Sequence, residues 1–262
     1  MEAMDIRLFL KGLKKRMASY SRFALYYDIL TKNISYKSRA EYFDRLIKKF
    51  DGTKGILLDF ACGTGSLSEE FAKMGYDVIA IDKSQEMLTM ALEKKIESGL
   101  PIQYLNQDMT KLNLFGGVDV TICALDSLNH LSDISAVRKA FKGVSKFSNP
   151  GALFIFDVNT PYKHKNIIGN NTFVYDADEV YCVWQNTYNQ NKVEIHLDFF
   201  EKDGNVYFKT EEDFTETAFE VSELEKALTD SGLEILAEYD YDTENPVRDD
   251  SEKIVFVARK VK

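Results

Sequence analysis

The apolar and polar positions of the chain follow two rhythms. From Gly55 to Val158, short apolar runs alternate with stretches of helical period. The runs are Ile56–Leu58, closed by Asp59-Phe60, then Asp77–Asp82, Ile102–Leu105, Val118–Ala124 and Ala152–Phe156. Between them, Ser66–Met74, Ser84–Ser98 and Asp133–Phe147 carry the spacing of amphipathic helices. Near-continuous apolar strands separated by helices predict a parallel sheet covered on both faces. Ser84 suits an N-cap with Glu86 in the first turn, and Asn149-Pro150-Gly151 signals a turn before the fifth strand.

After Asp157 the period shortens to two. Val193, Ile195, Leu197 and Phe199 alternate with Glu194, His196 and Asp198, as in a half-buried antiparallel strand. Asp203-Gly204 before Val206-Tyr207-Phe208 is a hairpin signal, and Tyr175, Tyr181, Val183 and Trp184 fall in earlier strand-like pieces. Three or four antiparallel strands are therefore expected as an insertion over residues 159–217. Asn159 and Thr160 lead into it at the carboxyl end of the sheet, where open α/β folds bind ligands. The chain then returns with a helix, Val221–Ser231, and two strands, Leu233–Tyr241 and Lys253–Arg259, joined by the charged tract Asp240–Glu252, which reads as a solvated loop.

The first 50 residues read as N-terminal helices: a basic amphipathic one within residues 1–19, Phe23–Leu30, and Arg39–Phe50 with Tyr42, Phe43, Leu46 and Ile47 as its buried stripe. Residues 51–158 form the core, 159–217 the insertion and 218–262 the return to the core sheet.

The chemistry concentrates where the first strand ends, at Asp59-Phe60-Ala61-Cys62-Gly63-Thr64-Gly65. Strand, glycine bend and helix N-terminus form a ligand cradle. A dinucleotide fingerprint would need a third glycine at Ser68. Asp59 would also repel a diphosphate, and it suits a ligand with a cationic end. Asp82 ends the second strand, where an acidic residue about 20 positions on takes ribose hydroxyls.

Asp59, Gly63 and Gly65 match the acidic-x-x-x-Gly-x-Gly motif of the class I S-adenosylmethionine-dependent methyltransferases, which this chain resembles over residues 20–160 and again from about 215. The resemblance implies a doubly wound, mostly parallel seven-stranded sheet whose last strand is antiparallel and inserted beside the fifth. It implies that Asp82 holds the ribose, Asp108 accepts from the adenine amine and Met109 covers the ring. Ala61, Lys83, Met87 and Leu125 lie in or beside the same motifs and complete the expected cofactor contacts. The loop Leu125-Asp126-Ser127-Leu128-Asn129-His130-Leu131 would border the methyl group. Phe23–Leu30 resembles the Tyr-Asp-x-Leu segment that folds over the cofactor as a lid, with Tyr26 and Tyr27 as contacts. Similar insertions in glycine and nucleotide-sugar N-methyltransferases wall the substrate pocket or form a dimer contact.

Catalysis in this family rests on holding donor carbon and nucleophile in line and dry. Asp126 is the better candidate for a base, Tyr27 could orient the substrate, and His130 reads as structural. Arg39 reads as a solvated charge, the alternative being contact with the cofactor carboxylate.

A net charge of −9 disfavours nucleic acid as the main substrate. Three cysteines without a C-x-x-C read as reduced thiols of a cytoplasmic protein, and three scattered histidines give no metal motif. No apolar stretch approaches the length of a membrane span. The expected activity is methyl transfer to an N or O nucleophile of a small molecule by a monomer or homodimer. The alternatives are an NAD-type oxidoreductase and a non-catalytic cofactor-binding module.

Overall fold

The computed structural model describes residues 23–177 and 180–261, so the basic helix expected within residues 1–19 lies outside the described residues. Two helices lead in, α1 (Phe23–Leu30) and α2 (Tyr36–Lys49). Ser35 caps α2 by accepting from Ser38 N at 3.3 Å, and its apolar stripe of Ala40, Tyr42, Phe43, Leu46 and Ile47 is buried. Then follow β1 (Ile56–Phe60), α3 (Ser66–Lys73), β2 (Asp77–Asp82), α4 (Gln85–Ser98), β3 (Gln103–Asn106), β4 (Val118–Cys123), α5 (Ile134–Phe147) and β5 (Ser148–Asn159). A helical turn, Pro161–Ile168, precedes β6 (Thr172–Asp176), β7 (Val180–Asn189), β8 (Lys192–Asp203) and β9 (Val206–Thr217). The chain closes with α6 (Val221–Thr229), β10 (Leu233–Asp240) and β11 (Lys253–Lys260).

The main sheet has the order β10-β11-β5-β4-β1-β2-β3. The strands from β1 to β5 run parallel, while β11 is antiparallel to both β5 and β10. From β1 the chain winds outward first through β2 and β3, then through β4 and β5. The crevice at the carboxyl ends of β1 and β4 is therefore a topological switch point, the ligand position in open α/β sheets. The strands are buried on both faces: Leu57, Val120, Ile122 and Leu153 pack towards one helix layer, Leu58, Phe60, Phe154 and Phe156 towards the other.

The insertion forms a second, four-stranded antiparallel sheet, β6-β7-β8-β9. Its register, with Trp184 opposite Leu197 and Leu197 opposite Glu212, sorts the side chains by face. One face carries Val180, Cys182, Val193, Ile195, Leu197 and Phe199 and packs on Tyr26 of α1. The other carries the polar partners His196, Asp198 and Lys209.

Three expectations need correction. Asn149-Pro150-Gly151 is no turn: β5 begins at Ser148, and the strain is absorbed as a register shift between Val118 and Val120 with Gly151 at φ +83°. The tract after β10 is not simply solvated, because Asp242 binds Arg39, Thr243 O accepts from Tyr42 and Glu244 binds Lys49. Arg39 itself is buried, stacked 4.3 Å from the Tyr241 ring centroid, and does not line the main cavity. Among the described residues no helix is long and apolar enough to cross a membrane.

Candidate active site

A cavity of about 1050 Å³ opens at the carboxyl ends of β1, β2 and β4 and continues under α1 to the inner face of the insertion sheet. Asp59, Ala61, Gly63, Asp82, Lys83, Met87, Asp108, Met109, Leu125, Asp126 and Tyr27 all line it. Gly65 does not.

The two glycines serve different ends. Gly63 sits at φ +54°, and a Cβ there would meet no protein atom within 4 Å, so its face is open to the cavity. Gly65, at φ +76°, caps α3, and a Cβ there would come within 2.3 Å of the Tyr104 hydroxyl oxygen. Its smallness admits a neighbouring side chain, and only that of Gly63 admits a ligand. Ala61 also holds a left-handed φ of +79°, and its N–H and that of Cys62 both donate to Ile81 O, which ties the bend to β2.

Asp82 receives Gly63 N on Oδ2 at 2.9 Å and Ser84 N on Oδ1 at 2.8 Å. Each oxygen keeps a lone pair for a vicinal diol. Asp108 takes Thr110 N and Oγ1 on Oδ1 alone, at 2.8 and 2.7 Å, which leaves Oδ2 for a donor such as an exocyclic amine. An adenosine would thus find a bend without a Cβ and two carboxylates with spare acceptor capacity.

Asp59 is 2% exposed. Burial pushes its carboxyl up to about 7; a hydrogen bond from Ser68 Oγ at 2.5 Å opposes this, and the Asp82 charge adds to it. The position where a dinucleotide fold needs glycine therefore carries the donor that holds Asp59. A carboxyl with a raised folded pKa gives stability that is complete below pH ~4 and is lost as pH rises through about 7. Asp59→Asn should therefore leave the melting temperature unchanged near pH 4.5 and raise it at pH 8, read by a melting series across pH; equal shifts at both pH values would contradict the burial argument.

Beyond β4, Leu125 and Asp126 hold φ values of +58° and +53°, and their N–H groups clamp the Asp157 carboxylate at 2.9 and 2.7 Å. Asp157 is fully buried at the end of β5. The β5–β11 register sets Lys253 opposite Asn159, and Lys253 Nζ reaches Asp126 Oδ1 at 2.7 Å and Asp157 Oδ1 at 3.4 Å. Burial would raise the Asp126 carboxyl, but the Lys253 and Lys163 charges override it and hold it well below the usual range. Asp126 is thus a weakly basic carboxylate. Tyr27 is kept protonated by burial, its hydroxyl pushed well above 10. His130 packs its ring against that of Phe214 at the cavity wall, tilted by 46° with centroids 5.4 Å apart.

Helix α1 joins the two ends of the cavity. Tyr26 stacks on Phe199 of the insertion at 5.7 Å, Tyr27 faces the cavity, and Asp28 bonds Thr64 Oγ1 at 2.7 Å and Lys94 Nζ at 2.5 Å beside the glycine bend. Adjacent residues of one helix therefore pack, line and latch. Sequence reading missed Asp157, Lys163, His164, Glu216 and Lys253. Glu216 alone left a signal: it falls in the apolar phase of β9, two residues after Phe214 and opposite Val193.

A family model described as a methyltransferase domain matches residues 57–151, the span from β1 into β5. The Bacillus subtilis (strain 168) protein YqeM, which carries a methyltransferase name, is 31% identical over 249 residues, covering 93% of this chain and 98% of its own. A crystal structure of an S-adenosylmethionine-dependent methyltransferase from Clostridium acetobutylicum ATCC 824 superposes with a TM-score of 0.84 at 32% identity, over 91% of this chain and 97% of that one. The sugar N-methyltransferase KedS8 from Streptoalloteichus shares the fold at a TM-score of 0.75 and 18% identity, over 90% and 93% of the two chains. The glycine bend, the paired strand-tip carboxylates and these full-length likenesses agree: the chain belongs to the class I S-adenosylmethionine-dependent methyltransferases.

Proposed function

We propose that this methyltransferase acts on a nitrogen or oxygen nucleophile of a small molecule, held in line with the methyl donor. The observation that carries the proposal is the single chamber. It runs from the strand-tip carboxylates to the aromatic inner face of the insertion sheet, so donor and acceptor can share one continuous space. S-adenosylmethionine supplies an already activated methyl group. What remains for the protein is alignment and exclusion of water, worth roughly 7–11 kcal/mol in well-oriented systems.

In this reading Asp82 binds the ribose diol, Asp108 Oδ2 the adenine amine, and Met109, Met87 and Leu125 close on the ring. Ala61 and Gly63 line the bend, Gly65 supports it, and Lys83 flanks Asp82. Asp59 faces the cationic end of the donor. Tyr27 orients the acceptor by donating from its hydroxyl, and Asp126 keeps the loop after β4 in place rather than removing a proton. Small-molecule size follows from the roof that α1 and the insertion form over the chamber. A cytoplasmic location, and a monomer or homodimer, complete the proposal. The matches to methyltransferases give no support to the oxidoreductase or the non-catalytic reading.

The test is an isotope-labelled methyl donor incubated with cell extract, split into small-molecule and macromolecular fractions. Label in the small-molecule fraction is expected; label on protein or nucleic acid alone would overturn the acceptor class. The latch makes a second prediction. Asp28→Ala should speed S-adenosylhomocysteine release about tenfold in stopped-flow, a loss of ~1.4 kcal/mol, because α1 then holds the bend only by packing. An unchanged release rate would remove the lid role of α1.

A further inference from the structure

Glu216 is 4% exposed, lines the cavity and belongs to no motif of the cofactor site. One of its oxygens is fully engaged: Oε2 meets His164 Nε2 at 3.0 Å and accepts from Asn159 Nδ2 at 3.2 Å. Its other oxygen, Oε1, has no partner among the described residues and is not enclosed by protein. On a residue that lines the cavity, it is a carboxylate oxygen that opens onto the chamber. Phe23, Tyr27, Tyr175, Trp184 and Phe214 line the same cavity, as does Lys163, whose Nζ is held on Asn159 Oδ1 at 3.0 Å rather than paired with Glu216. A carboxylate amid aromatic faces is an environment for a cationic nitrogen, through charge pairing and cation–π attraction.

The His164 contact limits what Glu216 can do. His164 is fully buried, and its Nδ1 lies 2.9 Å from Thr160 O, an acceptor only, so Nδ1 carries a hydrogen. Nε2 and Glu216 Oε2 must then share one proton, since otherwise two lone pairs would face each other at 3.0 Å. With that proton already in place, the pair suits anchoring better than proton abstraction. Asp126 is weakly basic and Tyr27 stays protonated, so neither of these two would take a proton from a hydroxyl acceptor. A free amine needs no base.

We propose that the acceptor is an amine and that Glu216 Oε1, held by His164 and Asn159, anchors its nitrogen. This rests on the methyl-transfer reading above and names its substrate class. In the step, the lone pair of the neutral amine forms the N–C bond as the donor C–S bond breaks and its electron pair stays with sulfur. Positive charge moves from sulfur to nitrogen, beside Glu216. The nitrogen keeps its protons during transfer and gives one up to water after release. Glu216 thus stabilises charge that develops in the transition state, and His164 is a positioning residue.

Glu216→Gln separates this from a neutral hydrogen-bonding role. With the shared proton on His164, Glu216 stays a carboxylate; glutamine can donate to a neutral His164 Nε2 and still present a carbonyl oxygen to the chamber, so the carboxylate–imidazolium pair is lost while the hydrogen bonds are kept. The wild type and the variant are compared in three measurements: melting temperature, calorimetric binding of S-adenosylhomocysteine, and transfer of labelled methyl from S-adenosylmethionine into extract metabolites, resolved from the unreacted donor by chromatography, with the methylated atom located by mass fragmentation. For the wild type, label is expected on an amine nitrogen, at a rate that rises with pH as free amine forms. For Glu216→Gln, melting should be unchanged and S-adenosylhomocysteine affinity should stay within threefold, while labelling of amine nitrogen falls at least 100-fold. Label on oxygen or carbon, or a variant that labels amines at the wild-type rate, overturns the proposal. Failure of the wild type to bind S-adenosylhomocysteine would instead strike the underlying cofactor reading, which calorimetry reports separately.

Discussion

Gly63→Val is expected to cut S-adenosylhomocysteine affinity at least 100-fold, about 2.7 kcal/mol, with the fold retained. The reason is where the new side chain goes. No protein atom lies within 4 Å of a Cβ built on Gly63, and the residue faces the cavity, so the valine carbons occupy space a ligand needs. The protein-side cost is the left-handed φ of +54°, on the order of 1–2 kcal/mol for a side-chain-bearing residue. Gly65→Ala should reverse the balance. Its Cβ would collide with Tyr104 and crowd Ala91, so melting temperature falls while the molecules that remain folded keep their affinity. Calorimetry and melting curves on the two variants read this directly. Equal ligand losses at both positions would contradict the division of labour between the glycines.

Lys253→Met should destabilise the protein by about 3–5 kcal/mol, the cost of leaving buried carboxylates without their partner. Lys253 is 7% exposed and bridges Asp126 and Asp157, which is fully buried. Methionine fills similar volume, so the loss is electrostatic rather than a cavity. For a chain of this size a drop on the order of 10 °C follows. The effect carries a pH signature. In the wild type the depressed Asp126 carboxyl contributes stability above its unfolded value near 4, lost as pH falls through the lower folded value. The variant lacks that contribution, so the gap between the two proteins should hold from pH 7 to about 4 and narrow as pH falls below about 4. A gap independent of pH would mean that packing, not charge, sets the loss. Asp126→Asn in the Lys253→Met background should recover part of the stability, since it removes one uncompensated charge.

The two predictions lie on opposite sides of what could be read from the chain. Asp59, Gly63, Asp82 and Asp108 stand within local strand–loop units, and the apolar runs before them settle which strand each one ends. Position in the sequence then sets position at the sheet edge, because parallel neighbours joined by helices bring their carboxyl ends to one side. The alternation of strands and helices and the β insertion were legible for the same reason: period 3.6 and period 2 are backbone properties, written locally. The seven-stranded order and its antiparallel last strand came only from the family resemblance.

The acceptor end was legible only at Asp126 and Asn159, which follow the fourth and fifth strands; their partners were not. Asp126, Asp157, Asn159, Glu216 and Lys253 come from the β4 loop, β5, β9 and β11, and meet only through strand pairings. A buried lysine in an apolar strand looks the same in sequence whether it faces solvent or two carboxylates. The misread turn at Asn149–Gly151 and the misread Arg39 have the same origin, a tertiary partner outweighing a local signal. By itself, then, the amino-acid order determined the alternation of strands and helices, the glycine bend and the carboxylates at the strand tips, since these depend on neighbours in the chain. Tertiary structure alone decided which charges are neutralised and which oxygen, Glu216 Oε1, is left open, because burial and pairing depend on residues far apart in the chain, 127 positions for Asp126 and Lys253 and 203 for Arg39 and Asp242.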